Sequence, residues 1–223
     1  PANANLDYER VRVRARLAAL EDGGFDPMRL VRLAERLRPI ADALDREAAA
    51  LIARAASFEA DRIVLARKLW DAAVAVRRRG LSALIAAASG AERQPAVDAV
   101  DRLDARLIQD AFAGASLGGA TLSVAKNDIV LGRDRGAIEG RADGTPPLPA
   151  LALETGVEAV WDGRLLLRAL VPGVTVHADH PKPRLVGADG KDASAVGEKR
   201  WLLAEHAAHL LEAGAGVVSE GST

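Results

Sequence analysis

The chain of 223 residues contains no cysteine, which removes several classes of site from consideration. Disulfide frameworks, cysteine-ligated zinc, iron–sulfur clusters and thiol catalysis are all excluded. The sequence has no uncharged apolar stretch approaching the ~20 residues that a transmembrane helix needs, and no basic-then-apolar signal opens it. We therefore expect a cytoplasmic protein without a membrane partner.

Aromatic residues and methionine are also scarce. Aromatics make up 3% of the chain, which leaves few platforms for stacking unpaired bases. Methionine occurs once, at Met28, and the first residue is Pro1. We therefore expect the chain to be a piece of a longer protein. Its 49% hydrophobic and 27% charged residues are typical of a folded globular protein.

The net charge of −1 conceals an uneven distribution along the chain. Residues 1–80 carry a net charge of +4, and their basic residues are arginines except for Lys68, whereas the remaining residues carry −5. Arginine suits bidentate recognition of phosphate, so the first part is the better candidate for contacting nucleic acid. A genomic preference for arginine over lysine would give the same composition.

Hydrophobic spacing predicts helices in the first half of the chain and hairpins in the second. Helices are expected at about 3–20, 27–55, 71–88, from 95 onward and at 198–213. Pro39 predicts a kink or break, and residues 63–65 an extended piece. Hairpins are expected about Lys126-Asn127-Asp128 and Asp162-Gly163. The fold class is therefore α+β, with an N-terminal helical bundle region followed by a small β-hairpin-rich domain with a C-terminal helix.

We divide the chain into five parts on this pattern. They are a helical region at 1–112, a β-hairpin extension at 113–140, a linker at 141–150, a small α+β domain at 151–213 and a flexible tail at 214–223.

The first predicted helix has two apolar faces rather than one. One face carries Leu6, Val13, Leu17 and Leu20, and the opposite face carries Tyr8, Val11, Ala15 and Ala18. Two faces are typical of a helix that lies between two partners, one of which would be a domain absent from this chain. Small apolar side chains tolerated in solvent would give the same pattern.

The start of this helix carries a family resemblance. Pro1-Ala2-Asn3 followed by Asp7-Tyr8-Glu9-Arg10-Val11-Arg12-Val13-Arg14 resembles the Asp-Pro-Ser-Asn…Asp-x-Tyr-x-Arg-Asn-x-x-Arg segment of the tRNA(Ile)-lysidine synthases. Tyr8, Arg10 and Arg14 match the Tyr, the first Arg and the last Arg of that segment, whereas Ala2 and Val11 replace its Ser and Asn. Arg77-Arg78-Arg79 is similar to the family's arginine-bearing helix, and Leu117 to Arg133 to its Gly-turn hairpin. The resemblance covers about residues 1–135.

This resemblance implies an ATP-dependent ligase that converts the wobble cytidine of isoleucine tRNA to lysidine with free lysine. The family's ATP-holding loop, Ser-Gly-Gly-x-Asp-Ser, has no counterpart in this sequence, because Gly118-Gly119 lies in a hairpin without the following Asp-Ser. We therefore expect the C-terminal, substrate-binding part of such an enzyme, inactive alone. ATP is expected as a cofactor of the full-length protein only. The expected partners are isoleucine tRNA and the protein's own missing N-terminal catalytic domain.

The residues expected to contact tRNA or that domain are Tyr8, Arg10, Arg12, Arg14, Arg77, Arg78 and Arg79. Three consecutive arginines fan across roughly 200° of a helix, so at most two face one ligand. No catalytic or cofactor-binding residue is assigned. His177/His180 and His206/His209 have i,i+3 spacing but lack a carboxylate in register, so we expect no metal site in this chain.

A second interpretation uses the same features. The chain would be a helical protein–protein interaction or oligomerisation module with no RNA role. The second apolar face of the first helix would then form the interface of a homodimer.

Overall fold

The computed structural model describes residues 12–13, 23, 26–109, 111–179, 182–194 and 197–216, with only the backbone described for 213–216. Most of the first predicted helix lies outside these ranges. Arg12 and Val13 lie within them, and both are helical and exposed. The chain divides into two compact units, residues 1–43 and residues 44–223.

Helix α1 (Met28–Ala55) begins where the sequence predicts. The Asp26 carboxylate accepts a hydrogen bond from the Met28 backbone N–H at 2.9 Å and so caps the helix, with Pro27 between them. The helix continues through Pro39 without a break, although proline cannot donate the backbone hydrogen bond of its turn.

The larger unit is built on a five-stranded antiparallel sheet with the order β1-β2-β5-β4-β3. Its strands are β1 (Ala56–Glu59), β2 (Arg62–Leu65), β3 (Gly114–Leu117), β4 (Ala120–Ala125) and β5 (Asp128–Arg133). The extended piece predicted at 63–65 is confirmed as β2. It pairs with β5 in the register Ile63–Leu131, so the sheet joins the predicted helical region to the predicted hairpin extension.

Two helices complete this part, α2 (Val74–Ser89) and α3 (Val97–Leu107). Every residue of α2 from Gly80 to Ser89 is buried, which is typical of a helix at the centre of a core rather than at its surface. A β-carbon on Gly80 would lie 2.9 Å from the Trp70 ring, so glycine lets this helix approach the indole closely. Helix α2 ends at Gly90, whose φ of 69° forms the left-handed cap that favours glycine.

The remaining residues form a second core beneath two three-stranded antiparallel sheets, ordered β10-β9-β6 and β11-β8-β7. The elements are α4 (Arg135–Glu139), β6 (Leu151–Ala152), β7 (Glu158–Trp161), β8 (Leu165–Ala169), β9 (Thr175–His177), β10 (Arg184–Val186), β11 (Gly197–Trp201) and α5 (Leu203–Gly216). Helix α5 returns to the first core, where Leu203, Ala207, Leu210 and Leu211 are buried. Trp201 packs against both cores.

The α+β class and both hairpin turns are confirmed. The last predicted helix is wrong in its first part, because Gly197–Trp201 is strand β11 and the helix begins only at Leu203. The strand forms because its backbone pairs with β8, with Trp201 opposite Leu165. Pairing between distant segments here overrides the local preference for a helix.

Candidate nucleic-acid interface

The residues expected to contact tRNA fall into two groups in the structure. Tyr8, Arg10 and Arg14 lie outside the described residues, and Arg12 is an exposed helical residue. The arginines of α2 are described in full. For all seven, a role in tRNA binding stays a prediction.

Arg77 forms a bidentate ion pair with Asp104 of α3. Its Nε and Nη2 lie 3.1 and 3.0 Å from the two carboxylate oxygens, and its Nη1 donates to the Ala72 carbonyl at 2.8 Å. The side chains are 12% and 2% exposed. The buried ion pair therefore neutralises the guanidinium and links α2 to α3.

Arg78 and Arg79 also face carboxylates. Arg78 lies 3.1 Å from Asp101 and 3.5 Å from Asp104, with its side chain 36% exposed. Arg79 bonds Asp45 of α1, and it donates to the Gln94 side chain at 2.7 Å. Of the three arginines, Arg78 presents the largest exposed fraction, so it is the one best placed to meet a ligand.

A groove of about 370 Å³ lies beside these arginines. Its polar wall is made by Arg78, Arg79, Ser82, Gln94 and Asp101, and its apolar wall by Leu44, Ala75, Val97 and Val100. Both charged arginines of the wall are already held by aspartates. The groove is therefore not a strongly cationic surface.

A second charged cluster lies at the turn of the β7–β8 hairpin. Asp162 accepts hydrogen bonds from Arg133 Nη2 at 2.8 Å and from Arg164 Nε at 2.8 Å. Arg164 is 1% exposed, and its guanidinium lies 5.5 Å from the centroid of the Trp201 ring. Burial lowers the pKa of Arg164, and the adjacent Asp162 carboxylate opposes that shift.

His206 of α5 borders this cluster. Burial lowers its pKa, and the neighbouring His209 adds to the shift, while hydrogen bonds with the backbone at Ala91 and Gly163 act in the opposite direction. The Nδ1 atom of His206 is buried and has no hydrogen-bond partner. Burial therefore disfavours the protonated form of this ring.

Reasoning from the sequence missed the aspartates that bind these arginines. Asp104 carried a usable signal, because it falls on the buried face of α3 beside Leu103 and Leu107. A carboxylate at a core position of an amphipathic helix indicates a buried cationic partner. Asp45 carries the same signal, because it lies on the buried face of α1 with Ala48 and Leu51, whereas Asp162, in a turn, carries none.

Within the described ranges, no group of three histidine, aspartate or glutamate side chains is arranged to hold a metal ion. Among those residues, no helix combines the length and apolar character needed to cross a membrane.

Comparison with curated proteins finds a tRNA(Ile)-lysidine synthase of Rhizobium meliloti (strain 1021), to which this chain is 31% identical over 188 residues. The aligned region covers 80% of this chain and 36% of that protein, so the chain spans about a third of the length of its relative. No protein-family model matches the chain, and neither does any solved structure. The match confirms, over most of this chain, the resemblance to the tRNA(Ile)-lysidine synthases that its opening segment indicated.

Proposed function

We propose that this chain is the non-catalytic, tRNA-binding portion of an ATP-dependent tRNA(Ile)-lysidine synthase. The observation that carries the proposal is the 31% identity to such a synthase over 80% of the chain. The complete enzyme would join free lysine to the wobble cytidine of isoleucine tRNA in the cytoplasm. ATP binding and catalysis would belong to a domain outside this chain.

The charge distribution supports a role in RNA binding. The arginine-rich first 80 residues carry a net charge of +4, while the chain as a whole carries −1. Phosphate contacts supply most of the nonspecific affinity of proteins for nucleic acids, and they also position the protein on its target. In this proposal Tyr8, Arg10, Arg12, Arg14 and Arg78 contact tRNA or the catalytic domain, while Arg77 and Arg79 hold α2 in place for that contact.

A titration with isoleucine tRNA tests the proposal. Fluorescence anisotropy with a labelled transcript, repeated at several salt concentrations, gives the affinity and its salt dependence. Each phosphate contact contributes a slope of about 0.7–0.9 in a plot of log affinity against log salt, so a slope of several units is expected. A neutral protein of the same size is the control. Binding no stronger than that control, or insensitive to salt, would contradict the proposal.

A second experiment tests the absence of catalysis. The chain incubated with tRNA, ATP and radiolabelled lysine is expected to attach no lysine to the tRNA. Addition of the separately produced catalytic domain is expected to restore or raise incorporation. Lysine attachment by the chain alone would overturn the assignment as non-catalytic. Sedimentation of the same sample reports whether the chain is a homodimer.

A further inference from the structure

The arginines of the larger unit differ in what holds them. Arg77, Arg78 and Arg79 face aspartates, which cancel their charge locally. Other cations of this unit are held by backbone carbonyls or form no ion pair within the described structure. Four of them lie in the last turns of α1, of α3 and of the 3-10 turn Arg67–Leu69, and we call these four the basic edge: Arg54, Arg67, Lys68 and Arg106.

Arg67 is the first residue of the 3-10 turn Arg67–Leu69, and Arg54 bonds the backbone just beyond that turn. Arg54, in the last turn of α1, donates to the Asp71 carbonyl at 2.9 Å. Arg67 donates to the Gln109 carbonyl, just beyond the end of α3. Both guanidiniums are therefore held in position through single hydrogen bonds to neutral groups, and neither forms an ion pair with a described carboxylate.

Arg106 and Lys68 complete the edge. Arg106 donates to the Gly114 carbonyl at 3.0 Å, and its guanidinium lies 5.9 Å from the centroid of the Phe112 ring. The Phe112 backbone N–H in turn donates to the Gln109 carbonyl at 3.1 Å, the same carbonyl that Arg67 holds. Lys68 is exposed and lies directly beside Arg67 in the 3-10 turn. Hydrogen bonds through Asp71 and Gln109 thus tie the ends of α1, the 3-10 turn and α3 into one edge.

The C-terminal ends of the helices neutralise only part of the positive charge of the basic edge. Each of these cations stands in the last turn of a helix or of the 3-10 turn. A helix C-terminus carries about half an elementary negative charge, so it neutralises only a fraction of a cation beside it. Most of the positive charge of the basic edge therefore remains available to an external anion.

We propose that the basic edge, Arg54, Arg67, Lys68 and Arg106, binds the phosphodiester backbone of RNA. A guanidinium that is anchored through one N–H keeps the others for a phosphate, and it loses less side-chain entropy on binding because it is already oriented. This inference rests on the proposed function. It places the main contact on carbonyl-held cations rather than on the consecutive arginines of α2.

The test compares charge removal at the basic edge with matched removals elsewhere. Lys68→Gln, Arg67→Gln and Arg106→Gln are expected to weaken isoleucine tRNA binding about 3- to 10-fold each, and each should lower the salt slope by about one. Arg102→Gln is the control on α3, one turn before Arg106, because Arg102 is exposed and paired with Asp98 at 2.8 Å. Arg135→Gln is the control away from the edge, paired with Glu139 at 2.7 Å. Both controls are expected to change affinity less than 2-fold and to keep the salt slope.

Loss of helix capping would change thermal stability without changing the salt slope, so each variant is also melted. Lys68 is exposed, and no hydrogen bond or ion pair holds its side chain within the described structure. Lys68→Gln is therefore expected to stay folded, and it decides the test if an arginine variant unfolds. Unchanged affinity and slope in folded edge variants, with salt-dependent binding by the parent chain, would overturn this inference alone. Equal losses in the edge and control variants would overturn it as well. Absence of salt-dependent binding by the parent chain would instead overturn the proposed function.

Discussion

Arg133, at the end of β5, forms a bidentate ion pair with Asp162 in the turn of the β7–β8 hairpin. Its Nη2 and Nε lie 2.8 and 3.2 Å from the two carboxylate oxygens, and Asp162 is 3% exposed. Arg164 lies on the other side of the same carboxylate, 2.7 Å from its Oδ2. One buried negative charge therefore compensates two guanidiniums and ties the five-stranded sheet to the hairpin.

Asp162→Asn is expected to destabilise the protein by about 3–5 kcal/mol, because it leaves buried guanidiniums without a counter-charge. Urea denaturation at neutral pH measures the loss. Asp98→Asn is the matched control, since Asp98 pairs with Arg102 on the exposed surface, where solvent screens the pair, and its effect on stability should be much smaller. Equal effects of the two substitutions would show that Asp162 does not hold this junction together.

The Arg77–Asp104 pair allows a double-mutant cycle. Either Arg77→Met or Asp104→Leu alone is expected to cost about 3 kcal/mol, because the remaining partner is left charged in a buried position. The double substitution should recover much of that loss, giving a coupling energy above about 1 kcal/mol.

Arg135 and Glu139 form the comparison pair for this cycle. They are i,i+4 neighbours on α4, with side chains 72% and 37% exposed. Their coupling energy is expected to be much smaller than that of the Arg77–Asp104 pair, because solvent screens the exposed charges. Additive losses at Arg77 and Asp104 would contradict the structural role given to Arg77.

Two glycines meet where the β7–β8 turn approaches the end of α2. Gly163 has a φ of 62°, and a β-carbon there would lie 2.2 Å from the Gly90 carbonyl oxygen. Backbone cannot yield as a side chain can, so Gly163→Ala is expected to cost about 3 kcal/mol or more. Gly156→Ala measures the cost of the positive φ alone, without a clash. Gly156 has a φ of 79° with nothing within 4 Å of its β-carbon position. That variant should lose only about 1–2 kcal/mol, and an equal loss at both positions would argue against a close approach.

In this region the sequence predicted the local backbone conformation of the turn, but it did not predict which distant residues the turn contacts. Asp162-Gly163 predicts a tight turn, and both residues indeed have positive φ, as the hairpin turn requires. Nothing in the sequence indicates that this turn reaches Gly90, because the contact depends on how two separately predicted elements pack. Strand β11 illustrates the same point, since only its pairing with β8 makes it a strand.

For the arginines of the candidate interface, too, the sequence predicted local geometry but not the partners on other elements. Helical spacing lets at most two of the three consecutive arginines face one ligand, and in the structure the side chain of Arg77 is largely buried. The sequence could not show that Asp104 neutralises it, because the two residues lie on different helices. Nor could it distinguish Arg106, held by a carbonyl, from Arg102, held by a carboxylate, since both are exposed arginines on one helix. Charge counted along a sequence therefore overstates the charge that a ligand meets.

His206 predicts a pH dependence of stability. Burial lowers its pKa in the folded protein, whereas the unfolded chain protonates near the ordinary histidine value of about 6.5. Below that value the unfolded state binds more protons than the folded state, so the free energy of unfolding rises with pH. Stability is therefore expected to fall as the pH drops through about 6.5, with the full loss reached below the lowered pKa of His206.

His206→Gln isolates this effect, because glutamine stays neutral through the same range. The variant should show a shallower fall in the free energy of unfolding, measured by urea denaturation at successive pH values. An NMR titration of the His206 ring provides a direct check. A ring pKa at or above about 6.5, or a parent slope retained in His206→Gln, would show that the buried ring is not the source of the acid sensitivity.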